Sequence, residues 1–203
     1  MGARKIIIDT DPGHDDAFAI LFALGSPAEL DVVALTTVGG NVPLALTSRN
    51  ALQLVELAGR ADVPVFAGCP GPMVRKLMTA EYVHGPTGID GLEAPDPVTQ
   101  IQSQHAVNFL VDKIMSAPEG ELSVCTLGPM TNLGMAMALE PRIVPRIREV
   151  VLMGGGFFQG GNATPAAEFN IFVDPHAAHV VFESGVPLTM ASIDCTYTKF
   201  RKY

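Results

Sequence analysis

Apolar residues along this chain fall into two recurring patterns, short unbroken runs and longer stretches with helical spacing. The unbroken runs are rich in β-branched residues and predict strands that are buried on both faces of a sheet. They lie at residues 6–8, 31–38, 64–67, 122–127, 148–153 and 187–193. The stretches with apolar residues three and four positions apart predict helices. They lie at residues 15–24, 43–58, 103–116, 133–139 and 175–185.

Strands and helices therefore alternate along the chain, and no internal repeat interrupts them. This alternation predicts the α/β class, with a doubly wound, mostly parallel β-sheet flanked by helices. A chain of 203 residues is long enough for one such domain and too short for two ordinary ones. We therefore expect a single domain over residues 1–203.

The segment 68–98 departs from this pattern, because it is rich in proline and glycine and sustains no hydrophobic period. Irregular segments of this length inside a domain are usually functional or mobile. The segment carries His84, which makes this histidine a candidate site residue. The alternative is a structural role, which is more common for a lone histidine in a proline-rich loop.

The composition is apolar, with 48% hydrophobic and 17% charged residues and a mean hydropathy of +0.30. Such a composition suits a sheet covered on both faces, or a fragment whose missing part covers some of its surface. The formal net charge is −8, and no basic stripe interleaved with aromatic residues occurs. Nucleic acid and anionic membranes are therefore not expected as partners.

The three cysteines, Cys69, Cys125 and Cys195, are odd in number and show no Cys-x-x-Cys spacing. They predict neither a disulfide framework nor a zinc site, and we expect reduced, mostly buried thiols. The longest apolar stretch near the start, residues 17–24, is too short to span a bilayer, and no signal peptide is recognisable. By elimination, the sequence predicts a cytoplasmic location.

Four carboxylates crowd into eight positions directly after the first predicted strand, at Asp9, Asp11, Asp15 and Asp16. Held close together and ionised, they would repel one another. The cluster therefore predicts a bound hard cation, raised carboxyl pKa values, or both. Ligands of open α/β sheets bind at the carboxyl ends of the strands, where this acidic loop falls. Helix capping is the simpler alternative, but it accounts for only one or two of the four carboxylates.

Polar residues also follow other predicted strands, at Asn41, in the turn after Leu127 and in the segment 153–170. A hard cation surrounded by carboxylates and amides suits a ligand rich in hydroxyl groups. Phosphate would favour lysine or arginine, and the chain has neither between residues 5 and 49 or between residues 148 and 199. Ordinary turn or surface positions are the alternative for Asn41, Glu168 and Asn170.

The stretch from Asp9 to Ala17, Asp-Thr-Asp-Pro-Gly-His-Asp-Asp-Ala, resembles the signature of the inosine-uridine preferring nucleoside hydrolases. Further blocks resemble motifs of the same family, in the family's order. They are Gly39-Gly-Asn41, His84-Gly85 with Gly88-Ile-Asp-Gly91, Leu127-Gly-Pro-Met-Thr-Asn132, Met153-Gly-Gly and Gly161-Asn-Ala-Thr-Pro-Ala-Ala-Glu-Phe-Asn170. The resemblance covers residues 5–196.

This resemblance implies hydrolysis of the N-glycosidic bond of a ribonucleoside to ribose and a free base, with a bound Ca2+. It implies Asp11, Asp16 and the backbone carbonyl of Leu127 as metal ligands. Asp11 would also act as the general base on the attacking water. His84, a second catalytic candidate, would lie near the nucleobase of the substrate. The sugar would be held by Asp15, Asn41, Met153, Asn162, Glu168 and Asn170. The resemblance further implies a homodimer or a homotetramer.

One departure from the family pattern concerns the end of the chain. The family places another metal-ligating aspartate, in many members with a histidine beside it, in a C-terminal portion that this sequence does not match. After Asp194 the sequence contains no carboxylate side chain and no histidine. We therefore expect an incomplete metal shell and a C-terminally truncated domain.

Two alternatives to a complete hydrolase follow. The first keeps the fold but not catalysis: a truncated module that binds ribose and Ca2+. The second is a haloacid-dehalogenase-like phosphatase, because Asp9-x-Asp11 after a first strand resembles the nucleophile loop of that class. Gly13 stands where that motif has threonine or valine, which argues against the phosphatase.

Overall fold

Six strands form one sheet at the centre of the structure, a computed structural model that describes residues 2–196. The strands are β1 (Arg4–Thr10), β2 (Leu30–Thr37), β3 (Val65–Ala67), β4 (Leu122–Thr126), β5 (Glu149–Met153) and β6 (Leu188–Ala191). Their order across the sheet is β3-β2-β1-β4-β5-β6, and each neighbouring pair is parallel. The predicted doubly wound α/β architecture is confirmed, and the pairing in this sheet is parallel throughout.

Helices connect these strands and cover the sheet. They are α1 (His14–Leu24), α2 (Leu44–Leu57), α3 (Glu81–His84), α4 (Ala106–Ser116), α5 (Thr131–Leu139), α6 (Phe169–Val173), α7 (Pro175–Glu183) and α8 (Ile193–Thr196). A 3₁₀ helix (Pro141–Arg146) precedes β5. The pattern did not predict this 3₁₀ helix or the short helices α3, α6 and α8, since four to six residues are too few to show a helical period.

Several predicted boundaries differ from the structure, and two of them have a clear local reason. Helix α4 begins at Ala106 rather than residue 103, because the ring nitrogen of His105 accepts the backbone N–H of Val107 (3.2 Å) and caps the helix there. The last strand ends at Ala191 rather than residue 193, because Ile193 begins α8 and its backbone N–H bonds to the carbonyl of Gly155 (2.9 Å).

The sheet carries a separate hydrophobic layer on each face. Ile6 and Ile8 pack on one face with α1 and α2, whereas Ile7 packs on the other face with α4, α5 and α7. Successive side chains of a strand point to opposite faces. The unbroken Ile6 to Ile8 run therefore supplies both layers, as predicted for a strand buried on both sides.

The chain changes direction across the sheet between β1 and β4. From β1 the chain proceeds through β2 and β3 toward one edge, and from β4 it proceeds through β5 and β6 toward the other. Asp9 on β1 lies opposite Thr126 on β4, so the loops that follow these two strands leave the sheet side by side. Such a switch point is where open α/β sheets bind their ligands.

The irregular segment 68–98 folds along α2 and contains only the four-residue helix α3. Buried polar residues of α2 hold it: Asn50 donates to the carbonyl of Thr87 (2.9 Å) and Gln53 to that of Pro95 (3.0 Å). The carboxylate of Glu56 accepts the backbone N–H of Val98 (2.8 Å). Polar side chains on the inner face of α2 therefore replace the missing hydrophobic period of this segment.

The structure also bears on the predictions for the three cysteines. The three cysteines are free, as predicted, but the expectation of mostly buried thiols is wrong for Cys195, which is exposed because it lies on α8 beyond the sheet. Burial raises the pKa of Cys69 to about 12.

None of the helices within residues 2–196 has the length and apolar character to cross a membrane. Most of the tail after Asp194, where a metal ligand was expected to be missing, lies outside the described residues.

Candidate active site

The acidic loop after β1 buries three of its four carboxylates. Asp9, Asp11 and Asp16 are at most 5% exposed, whereas Asp15 is exposed. The burial follows from topology, because β1 is a central strand and the loops after β2 and β4 close over its carboxyl end. Three buried carboxyl groups near one another are costly unless they are protonated or compensated by positive charge.

Asp11 has one bonded and one unbonded carboxylate oxygen. Its Oδ2 accepts the backbone N–H of Asn41 (2.7 Å), but its Oδ1 is buried and has no hydrogen-bond partner in the described part of the chain. Gly40 and Gly128 lie against the two oxygens, and a Cβ on either glycine would collide with them. Burial, and then the charge of Asp16, raise the pKa of Asp11 well above its usual range.

Asp16 and Asn41 complete the polar floor of the site. The Oδ1 of Asp16 accepts the Thr10 hydroxyl (2.8 Å), and its Oδ2 accepts the backbone N–H of Gly13 (3.1 Å). The Asn41 side-chain amide donates to the Asp11 carbonyl (3.0 Å) and, at 3.4 Å, to Asp16. Burial is the main reason that the pKa of Asp16 rises to about 6. Asn41 therefore bridges the two aspartates, which a simple turn residue would not do.

Asp9 has a different environment from the other carboxylates of the loop. It accepts the hydroxyl of Thr36 (2.6 Å) and the side-chain amide of Asn132 (2.8 Å). Its pKa is raised to about 6, chiefly by burial, with these two hydrogen bonds opposing the shift. These contacts join β1 to β2 and α5, so Asp9 has a structural role in the sheet.

Replacing Asp9 by asparagine is expected to raise the free energy of unfolding at pH 7, in the presence of a chelator, by about 1–3 kcal/mol. The folded protein binds a proton on Asp9 more tightly than the unfolded chain does. The ionised carboxylate therefore lowers the free energy of unfolding progressively as the pH rises from about 4 to about 6, and the whole effect is present above about pH 6. Urea denaturation at pH 5 and pH 7 measures the effect. The exposed Asp31→Asn variant is the control, and a less stable Asp9→Asn protein at pH 7 would contradict the expectation.

The loops after β4 and β5 bring further polar groups to the same place. The N–H of Leu127 donates to the carbonyl of Asp9 (2.8 Å), which pins the β4 loop to β1. The side-chain amide of Asn170 donates to the carbonyls of Leu127 (2.7 Å) and Met153 (3.1 Å). One asparagine thus joins the carboxyl ends of β4 and β5.

Glu168 is a buried carboxylate, and it is not the surface residue that the alternative interpretation allowed. It is 2% exposed, accepts the backbone N–H groups of Asn170 and Gly155 (both 3.0 Å), and caps α6. Burial raises its pKa, and these N–H groups oppose the shift. Asn162 is exposed, and its side-chain oxygen accepts the N–H of Phe169 (2.8 Å), the first residue of α6.

His84 belongs to α3 and reaches the site from the irregular segment. Its Nδ1 accepts the backbone N–H of His14 (3.3 Å), and the two imidazole rings stack with centroids 5.6 Å apart. Burial lowers the pKa of His84, an effect that Asp15 opposes and His14 reinforces. The histidine therefore has a structural contact and a position at the site, so the two interpretations of it do not exclude each other.

These groups surround one cavity of about 370 Å³. Nine of the ten predicted site residues line it, and the tenth, Asp11, is hydrogen-bonded to the lining residue Asn41. The nine are Asp15, Asp16, Asn41, His84, Leu127, Met153, Asn162, Glu168 and Asn170. Sequence reasoning missed four further lining residues, namely Ala80, Tyr82, Val83 and Phe169. The only signal for them was that they flank His84 and Glu168 in the sequence.

Asn132 is the main residue in contact with the acidic loop whose role sequence reasoning missed. It is fully buried, and it bonds Asp9, the carbonyl of Thr37 (3.0 Å) and the N–H of Cys69 (2.8 Å). Its place in the block Leu127 to Asn132 was visible in the sequence. Nothing in the sequence indicated that its amide joins three segments.

The donors near Asp11 are of the kind that a hard cation prefers. They are carboxylate oxygens of Asp11 and Asp16 and the backbone oxygen of Leu127, with one Asp11 oxygen buried and unpartnered. Among residues 2–196, no group of three or more acidic, histidine or cysteine side chains is arranged to hold a metal. The side-chain donors here therefore amount to two carboxylates, which fit a cation as part of its shell.

Comparison with known proteins adds a line of evidence that does not depend on the geometry of the site. The sequence profile of the inosine-uridine preferring nucleoside hydrolase family matches residues 6–202. An inosine-uridine preferring nucleoside hydrolase of Crithidia fasciculata is 48% identical over 96% of this chain and 61% of its own length. The pyrimidine-specific ribonucleoside hydrolase RihB of Escherichia coli is 47% identical over 97% of this chain and 61% of its own length.

Solved structures agree. A plant nucleoside hydrolase, PpNRh1, is 40% identical with a TM-score of 0.86, covering 96% of this chain and 61% of its own. A purine-preferring ribonucleoside hydrolase from Gardnerella vaginalis is 36% identical with a TM-score of 0.89, covering 94% of this chain and 61% of its own. The chain thus spans about three fifths of the length of these relatives. With a profile match over nearly its whole length, this chain belongs to the inosine-uridine preferring nucleoside hydrolase family.

Proposed function

We propose that the protein hydrolyses the N-glycosidic bond of ribonucleosides, releasing ribose and the free base, with Asp11 as the base that activates water. The observation that carries this proposal is the unpartnered Oδ1 of Asp11, buried beside a cavity rich in carboxylate and amide groups. Membership of the family supports the same reaction class. No lysine or arginine lines the cavity within the described residues, which favours a neutral, hydroxyl-rich ligand over a phosphate.

The sugar-binding roles in this proposal are those that the family resemblance implies, and the lining of the cavity supports them. Asp15, exposed at the mouth, and Asn41 on the floor are assigned to one side of the ribose. Asn162, Glu168 and Asn170 are assigned to the other side. Met153 offers an apolar thioether against the sugar ring, and His84 stands on the wall assigned to the base.

The reaction forms a bond between a water oxygen and C1′ while the bond from C1′ to the base nitrogen breaks. Asp11 accepts the proton of the water. The departing base takes up a proton from solvent, and Asp11 later returns its proton to solvent, so that one water is consumed and no net proton is gained or lost. Positive charge develops on the sugar during cleavage, and the carboxylates of Asp16 and Glu168 stabilise it.

A Ca2+ ion held by Asp11, Asp16 and the Leu127 carbonyl would offset the buried negative charge and lower the pKa of the attacking water. The identity of the ion as Ca2+, and assembly into a homodimer or homotetramer, are parts of this proposal. The non-catalytic alternative, a module that binds ribose and Ca2+, keeps one specific observation in its favour. Only two side-chain ligands for the cation occur among residues 2–196.

Removing the metal is expected to abolish base release. The protein is incubated with inosine and with uridine in CaCl2, then with excess EGTA, and then with CaCl2 restored. Release of hypoxanthine or uracil should stop with the chelator and resume with Ca2+, because the two buried aspartates then regain a counter-charge. Base release that continues undiminished in EGTA would contradict the metal dependence.

Calorimetry combined with the assay of base release separates the two functions. Ribose titrated into the Ca2+-loaded protein should bind under either one. Ribose binding without any base release would support the non-catalytic module and overturn the hydrolase. A phosphatase activity lost in the Asp9→Asn variant would instead support the haloacid-dehalogenase-like alternative, which the position of Asp9 within the sheet argues against.

A further inference from the structure

The loop between β5 and α6, residues 154–168, carries Asn162 to the cavity and ends at Glu168, and we call it the site loop. Its first half is tied to α8 by one side chain. The Oδ2 of Asp194 accepts the backbone N–H of Phe157 (2.7 Å), and its Oδ1 accepts those of Phe158 (2.9 Å) and Gln159 (2.8 Å). A single carboxylate thus binds three consecutive backbone amides of the site loop.

Side-chain packing of Phe157 and Phe158 does not hold this part of the site loop in place. Phe157 and Phe158 are 71% and 94% exposed, so neither ring anchors the site loop to the core. The hydroxyl of Ser192 donates to the Oδ2 of Asp194 (3.0 Å) and orients the carboxylate. The N–H of Phe157 is the largest of several influences that lower the pKa of Asp194 to about 2, so the group is ionised at neutral pH.

A short, close-packed turn connects these amides to Asn162. Gly160 has a positive φ of 74°, and a Cβ on it would approach the carbonyl of Pro165 at 2.7 Å. The N–H of Gly161 donates to the same carbonyl (3.2 Å). Asn162 follows, and its side-chain oxygen accepts the N–H of Phe169 (2.8 Å). Only Gly160 and Gly161 separate residues 157–159 from Asn162, and both lie against the carbonyl of Pro165.

We propose that Asp194 is a positioning residue that holds Asn162 at the cavity wall by fixing the backbone of residues 157–159. Asp194 does not line the cavity, so it acts through the site loop and touches no substrate. The benefit to the sugar site rests on the proposed function. The positioning of Asn162 itself does not, because the bond from Phe169 to Asn162 reports it without any ligand.

The test is amide hydrogen exchange in the Asp194→Asn variant, followed by NMR. Asparagine has an NH2 group in place of one carboxylate oxygen, and this group cannot accept a hydrogen bond from a backbone N–H. At least one charge-assisted bond is therefore lost. Exchange of the amides of Phe157, Phe158 and Gln159 should accelerate about tenfold or more, and that of Phe169 should accelerate with them. Ser192→Ala, which keeps the carboxylate, is the matched control with little expected change.

Two results would overturn the proposal. One is unchanged exchange at residues 157–159, and the other is faster exchange there with an unchanged Phe169 amide. Amides of β1 in the same spectra show that the variant is folded. Gly160→Ala strains the same turn without touching Asp194, and it should also accelerate the Phe169 amide.

A kinetic measurement extends the test to the substrate. With wild-type protein that hydrolyses inosine, Asp194→Asn should raise KM about tenfold and change kcat less than about threefold, as expected for weakened sugar binding. An unchanged KM would remove the role at the substrate site. Absence of hydrolysis by the wild type would instead refute the proposed function, and the Phe169 exchange would still decide whether Asp194 positions Asn162.

Discussion

Replacing Asp11 by asparagine is expected to reduce base release from inosine by about 10³-fold or more. Asparagine has nearly the same shape and still offers an oxygen to the N–H of Asn41. It carries no charge, however, so it neither accepts a proton from water nor provides a strong ligand for a hard cation. Initial rates at saturating inosine and CaCl2 measure the loss, and calorimetry with CaCl2 should show weaker binding.

The same variant distinguishes a chemical effect from misfolding. A buried carboxylate with a strongly raised pKa destabilises the folded protein at neutral pH, so Asp11→Asn should unfold at equal or higher urea concentration in the presence of EGTA. Asp31→Asn, an exposed aspartate at the opposite end of the sheet, should leave both rate and stability unchanged. A rate above about a tenth of the wild type in Asp11→Asn would exclude Asp11 as the base.

The Asn132→Ala variant is expected to lose about 3–5 kcal/mol of free energy of unfolding. Its fully buried side chain supplies the acceptor for the Cys69 N–H. It also adds a hydrogen bond to the Asp9 carboxylate, which otherwise accepts only the Thr36 hydroxyl among the described residues, and to the Thr37 carbonyl, which also accepts the Gly68 N–H. Each buried polar group left without a partner costs roughly 1–3 kcal/mol. Urea denaturation measures the loss, and it requires no enzymatic activity.

The control for Asn132→Ala is Asn108→Ala, on the exposed face of α4. Alanine is the better helix former, so this second variant should be as stable as the wild type or slightly more stable. A loss below about 1 kcal/mol for Asn132→Ala would show that the three segments do not depend on the amide, against the hydrogen bonds of the structure.

Helices long enough to repeat the apolar period were predicted well, and the short helices were not. The helix over 43–58 is found at Leu44–Leu57, because a fourteen-residue helix repeats its period several times. Helix α6 has five residues and depends on Glu168, whose carboxylate accepts the N–H groups of Asn170 and Ile171. A cap of that kind is a contact between a side chain and its own loop, and the hydrophobic period does not report it.

The candidate site shows the same division. The acidic loop was recognisable because four carboxylates in eight positions are costly to bury, and the blocks after it resemble one family in order. The family resemblance implied separate roles, but the separate environments of the four required the structure. Asp15 is exposed at the cavity, Asp11 and Asp16 share Asn41, and Asp9 bonds to Thr36 and Asn132 within the sheet.

By itself, the sequence determined the fold class, the family and the residues that are candidates for the chemistry, because hydrophobic period and residue type are local properties of a chain. Only the tertiary structure decided which carboxylate oxygens lack a partner within the described part of the chain, those being one each of Asp9 and Asp11, which asparagine joins three segments, and that Asp194 binds the backbone of the loop that carries Asn162. These are contacts between residues 30 to more than 120 positions apart. They depend on where the parallel strands end relative to one another, and no local pattern in the chain encodes that distance.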